Sequence, residues 1–226
     1  MMLLRRRIYK VDKPLVGDFL YSDGSWSTNR NAGKTCIGIV FYAGREGGSQ
    51  NGYAVALEDA SSAREYWSFS YEGSSMSYND YIAGTTQTKS YSEATADMAA
   101  ITNTRLIIEH YKEDLPVCPA FKAIHEYSAS LVVGVIGNAG SWIMPSLGML
   151  KSMHDNFDLL NQRITDTGGT ALKSDKDYWS CTQYVPESDY SPRISYAWSW
   201  NFSESIVQAG GCFKSEKYYA RGIIQF

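Results

Sequence analysis

Hydrophobic and polar positions follow two different periods along this chain. Near the start, apolar residues come in short blocks: Gly17–Tyr21, Ile37–Tyr42 and Tyr53–Leu57. Short apolar blocks bounded by turn residues predict strands, and the continuous run from Ile37 to Tyr42 predicts one buried on both faces. Ser22-Asp23-Gly24-Ser25 predicts a turn in which Gly24 supplies a positive φ. A Gly-rich loop follows at 44–52, and 68–89 forms an irregular stretch of Ser, Gly, Tyr and Thr. The period then lengthens. Ser92 is a plausible N-cap with Glu93 in the first turn, and Ala96, Ala100, Ile107 or Ile108, and Tyr111 share one face as far as Leu115-Pro116. A shorter helix is expected at Pro119–Tyr127, with Phe121 and Ile124 inward. The clearest helix runs Pro145–Ile164, where Leu147, Leu150, Met153, Phe157, Leu160 and Ile164 form one apolar stripe. From Ser195 to Phe202 the period falls to two. Tyr196, Trp198, Trp200 and Phe202 are expected in the core, and Ser195, Ala197, Ser199 and Asn201 in water. Tyr218–Phe226 reads as a final strand.

Strands, then helices, then strands predict an α+β fold. No repeat or low-complexity linker interrupts the chain, so a single domain over 1–226 is expected. It would comprise N-terminal strands at about 8–60, helices at about 92–128 and 145–165, and a C-terminal region at about 178–226.

Composition adds three exclusions. The formal net charge is −3 and the basic residues are scattered apart from Arg5-Arg6-Arg7, so no nucleic-acid stripe is present. The longest apolar run, Leu131–Ile136, suits one strand and no membrane span. Met1-Met2-Leu3-Leu4 precedes the arginines, the reverse of a secretory signal, so neither a signal peptide nor a transmembrane segment is expected in this chain. Aromatics reach 14%, led by 17 tyrosines. That is compatible both with a β-rich core and with a binding surface.

Catalytic patterns are missing. His110, His125 and His154 fall in helical segments without ligand spacing, and Cys36, Cys118, Cys181 and Cys212 form no C-x-x-C pair. Cys181 and Cys212 both lie in the C-terminal region, where a disulfide is compatible with the sequence and free thiols are the default. Gly134–Gly140 lacks the features of a phosphate or dinucleotide loop, and neither Ser141 nor Ser180 sits in a nucleophile elbow. Glu187 and Asp189 read as exposed loop charges. No catalytic residue, metal site or cofactor is expected, so the chain reads as a non-enzyme.

The last fifty residues alternate between aromatic anchors (Tyr178-Trp179, Tyr184, Tyr196, Trp198, Trp200, Phe202, Tyr218-Tyr219) and irregular runs at 185–193 and 205–213. Arbitrary loops on a stiff frame suit recognition. The motifs Val16–Ser27, Pro119–Ala123, Trp142–Gly148, Tyr178–Tyr184, Ala197–Ser203 and Tyr219–Ile223 together resemble surface and phage-type proteins of Bacteroidetes. That family includes the variable proteins of diversity-generating retroelements. The resemblance implies a C-type lectin-like fold with mixed twisted antiparallel sheets and two main helices. It implies a displayed adhesin, at the cell surface or on a virion tail, that recognises a protein or glycan on a cell surface. A fimbrial or phage tail tip subunit with a fixed partner is the alternative, and an enzyme on the same fold the weaker one. A thiol titrating far below its usual range would mark that enzyme.

In such retroelements adenine randomisation reaches Tyr, Ser, Asp, Ala, Gly, Ile, Val, Phe, Cys, Pro and Arg, but not Lys, Glu, Gln, Trp or Met. The resemblance therefore implies ligand-binding positions at Cys181, Val185, Pro186, Asp189, Tyr190, Pro192, Arg193, Ser199, Ile206, Val207, Ala209, Gly210, Cys212, Phe213 and Tyr218. Tyr190, Arg193 and Phe213 are the expected anchors. Glu204, Gln208, Lys214 and Glu216 are implied to be framework. The triplets of calcium-dependent sugar-binding lectins and the signature and cysteine pair of formylglycine-generating enzymes are absent, so neither activity is implied.

Overall fold

A computed structural model describes residues 13–44, 52–69, 81–127, 142–186, 196–203 and 211–226. The expectations for Leu131–Ile136, Gly134–Gly140 and most of the irregular C-terminal runs lie outside these residues. The apolar blocks become the first sheet. Its strands are β1 (Phe19–Tyr21), β2 (Trp26–Ser27), β3 (Cys36–Ala43), β4 (Gly52–Ala56) and, from the far end of the chain, β11 (Ile223–Gln225). Their order is β11-β4-β3-β1-β2, antiparallel throughout. Ile39 faces Val55, and Val55 in turn faces Ile223. Ile37 to Phe41 are buried on both faces, as the unbroken apolar run requires. Gly24, at φ 80°, closes the β1–β2 turn, where the Ser25 amide donates to Asp23 Oδ1 at 3.0 Å.

Between these N- and C-terminal strands the chain builds a two-stranded ribbon, a second sheet and the helices. The ribbon pairs β5 (Glu65–Tyr66) with β10 (Lys217–Tyr218). The second sheet has the order β6-β7-β8-β9, from β6 (Gln87–Thr88), β7 (Asp177–Tyr184), β8 (Tyr196–Asn201) and β9 (Gly211–Phe213). β6 runs parallel to β7 and the other pairs are antiparallel. The strand expected over Tyr218–Phe226 is therefore two short strands in different sheets.

The helices depart from expectation in their continuity. The first long pattern divides into α1 (Tyr91–Thr95) and α2 (Ala100–Tyr111), and the second into α4 (Leu147–His154) and α5 (Phe157–Asp166). Ser90, not Ser92, caps α1 through a reciprocal box with Glu93. Asp97 causes the first break: its Oδ1 accepts from the Ala99 amide at 2.8 Å, offering the backbone a local alternative to the helix. Asn156, at φ −126°, makes the second. The apolar stripe survives this division, with Leu147, Leu150, Met153, Leu160 and Ile164 all buried. α3 (Pro119–His125) begins at the proline, as predicted, and buries Phe121 and Ile124. Helices and sheets enclose one cluster of buried apolar side chains. The architecture is α+β. No helix among the described residues is long and apolar enough to cross a membrane.

Candidate functional site

Buried side chains tie the second sheet to the elements around it. Three buried tryptophans each use the indole N–H as an anchor at 2.8 Å: Trp67 to the Ser180 carbonyl, Trp179 to the Glu65 carbonyl and Trp198 to the Thr88 hydroxyl. Asp97 ties the α1–α2 break to β7 by accepting from Thr182 Oγ1 at 2.6 Å and from Asn103 Nδ2 at 3.2 Å. Lys214, fully buried after β9, donates to Gln183 Oε1 at 2.6 Å and lies 4.1 Å over the Trp67 ring.

On the outer face the register does the assembly. Tyr184 pairs with Tyr196, and Tyr196 with Phe213, so three rings from β7, β8 and β9 lie side by side on one face. Ring centroids are 6.0 Å apart for Tyr184–Tyr196 and 4.9 Å for Tyr196–Phe213. Tyr184 also lies 4.9 Å from the buried Trp198. Gly211 makes room for this stack: a Cβ there would fall 1.8 Å from the Tyr184 ring. Phe213 is 42% exposed, and the two tyrosines are half-buried. Val185 and Pro186, also half-buried, continue directly from Tyr184. The result is a platform without a formal charge among its five described side chains, able to offer ring faces to a ligand.

The expected site residues separate into groups. Val185, Pro186 and Phe213 meet at the platform. Cys212 and Tyr218, both half-buried, do not. Cys212 alternates to the opposite face of β9, 3.3 Å from Ser199 Oγ, and Tyr218 packs on Trp179 at 4.5 Å with its hydroxyl on Glu216. Cys181 and Ser199 are corrections. A register shift in β7 between Trp179 and Gln183 lets the Cys181 amide donate to the Pro145 carbonyl and turns its thiol toward Ala100, fully buried. Ser199 is 2% exposed, and Ala197 is buried too, so the expected water-facing side of β8 is covered. Asp189, Tyr190, Pro192, Arg193, Ile206, Val207, Ala209 and Gly210 lie outside the described residues. The sequence reading missed Tyr184 and Tyr196, treated there only as anchors. Their place at strand ends beside the irregular runs was the available signal.

The four cysteines form no disulfide. Burial pushes all of them up, Cys36 to about 11, with the Cys118, Cys181 and Cys212 thiols raised as well. A thiol held in its protonated form is a poor nucleophile.

No family model and no curated protein matches the chain. Among solved structures it is similar to a fimbrial protein from Bacteroides ovatus, with 18% identity and a TM-score of 0.67. The alignment covers 94% of this chain and 49% of that one, so the chain spans about half the length of its structural neighbour. The two share a fold.

Proposed function

We propose that the chain is a surface-displayed binding module of adhesin type. Its contact surface is the Tyr184–Tyr196–Phe213 platform with Val185 and Pro186, and its ligand is a protein or glycan on a cell surface. The observation that carries this reading is a row of three aromatic rings, Phe213 exposed and Tyr184 and Tyr196 half-buried, on a sheet tied down by buried indole and lysine anchors. Rigid aromatic surface gives contact area at low entropic cost, and fixed frames beneath loops are where recognition concentrates. The fold likeness to a fimbrial protein supports display.

The finer form of the reading is a C-type lectin-like frame whose surface positions are diversified by a retroelement. Deep sequencing of the gene's 3′ end from its natural population tests it. Substitutions at Val185, Pro186, Phe213 and the irregular runs, with Trp179, Trp198 and Phe202 fixed, are expected. A uniform sequence there removes diversification and leaves an adhesin of fixed specificity.

The binding role is tested with Tyr196→Ala/Phe213→Ala. Cell binding by flow cytometry should fall at least tenfold while the far-ultraviolet spectrum and melting cooperativity stay intact. Unchanged binding by a folded double variant would sink the platform assignment. The fimbrial neighbour favours a second reading, a structural fimbrial or tail tip subunit. Light scattering separates the two: a stable assembly of sister chains that protects Phe213 from solvent favours the subunit.

A further inference from the structure

Proteins and glycans would meet the platform differently. Its five described side chains, Tyr184, Val185, Pro186, Tyr196 and Phe213, carry no formal charge, and two phenolic hydroxyls are their only polar groups. A saccharide carries hydroxyls around its whole ring. Seated here, it would lose water from more hydroxyls than these side chains can partner, which costs free energy. The ring geometry points the same way. An oligosaccharide stacks its flat faces on open rings that share a plane. Tyr184 instead stands at 78° to Tyr196, and Tyr196 at 32° to Phe213. At centroid separations of 6.0 and 4.9 Å the rings lean on one another. The surface they leave is stepped, with Phe213 its most exposed member.

Apolar side chains of a polypeptide fill such steps and bring no hydroxyls to desolvate. Protein interfaces have this make-up at their centre, where aromatic residues are enriched and charged ones depleted. Val185 and Pro186 add aliphatic surface beside the rings. The rings are also set before a partner arrives. Trp198, buried and bonded to the Thr88 hydroxyl, lies against Tyr184, and Gly211 leaves the space that the Tyr184 ring fills. Little side-chain freedom is then left to lose on association. We infer, resting on the platform reading, that the cell-surface partner at this face is a polypeptide presenting uncharged aromatic and aliphatic side chains, and not a glycan.

Two probes on the intact chain separate the classes: a phage-displayed library of random peptides, and an array of oligosaccharides of mannose, galactose, N-acetylglucosamine and sialic acid. Uncharged peptides with aromatic or aliphatic residues should be enriched. A synthetic copy of one should bind no more weakly as sodium chloride rises from about 0.1 to about 1 M, because no charge pair is there to be screened. Tyr196→Ala/Phe213→Ala should weaken that binding at least tenfold with melting cooperativity intact. Phe213→Glu, at the exposed end of the row, repeats the test if the double variant does not fold. Glycan binding that these variants abolish overturns the inference and keeps the platform reading. So does platform-dependent enrichment of charged peptides whose binding falls with salt. Binding that the variants leave unchanged, binding to neither probe, or a dimer formed through Phe213 in sedimentation sinks both the inference and the platform reading.

Discussion

Arg221 shows what a single buried charge does here. It is 1% exposed, yet Nε donates to Asp59 Oδ1 at 2.8 Å, and the remaining guanidinium nitrogens reach the Ala56 carbonyl at 3.1 Å and the Thr170 carbonyl at 2.8 Å. Removing Arg221 leaves Asp59 with Lys173 as its remaining cation and takes the donor from the Ala56 and Thr170 carbonyls, at about 3 kcal/mol in total. Arg221→Ala should lower the unfolding free energy by that amount in urea titration. A loss below about 1 kcal/mol would place the pair in the class of weak surface bridges. Asp177 is the opposite case. Burial raises its carboxyl above the usual range, nearby Glu216 adds to this, and Oδ1 has no partner among the described residues. A raised folded value means its favourable contribution is complete below the unfolded value of about 3.9 and is lost as pH rises through the folded one. Asp177→Asn should therefore gain stability relative to the native chain at pH 7 and not at pH 3. Equal urea midpoint differences at both pH values would refute that.

At the scale of elements, periodic patterns were legible and long-range polar contacts were not. β3, β4, the start of α3 and the buried stripe over α4 and α5 followed from spacing, because a helix or strand repeats its burial every few residues. The helix breaks did not, because Asp97 and Asn156 look like ordinary polar residues on an outer face. What fixes Asp97 is Thr182, 85 residues away, and the partner of Arg221 is 162 residues away. The same gap explains the candidate site. Phe213 was readable as exposed, but its neighbours Tyr184 and Tyr196 are set by register, and the burial of Cys181 by a strand irregularity. Asp97→Ala removes four hydrogen bonds and leaves the Ala99 amide and the Thr182 hydroxyl without an acceptor, while Thr86 and Asn103 keep each other. At roughly 1–3 kcal/mol for each buried group left unpaired, it should cost about 3 kcal/mol or more. Asp97→Asn should cost less. Equal losses for the two would mean that shape, not hydrogen bonding, holds the joint.

Across the whole molecule, the frame and the contact surface are made of different residues. Five of the six tryptophans are 3% exposed or less, and Trp26 is the partly exposed exception. The described platform contains no tryptophan. Acrylamide should therefore quench a minor fraction of indole emission in the native state and most of it in urea. Quenching of most native emission would contradict the burial of the frame. The likeness to the fimbrial protein at 18% identity places the same architecture in a chain of very different sequence.

The indole anchors carry a consequence for heredity. Trp67 and Trp179 donate to main-chain carbonyls, of Ser180 and Glu65, and every amino acid supplies a carbonyl. The codons for those two acceptor positions can drift without breaking either anchor, whereas the tryptophan codons cannot. A lineage of this chain would thus keep a handful of immovable indoles while the text around them is rewritten.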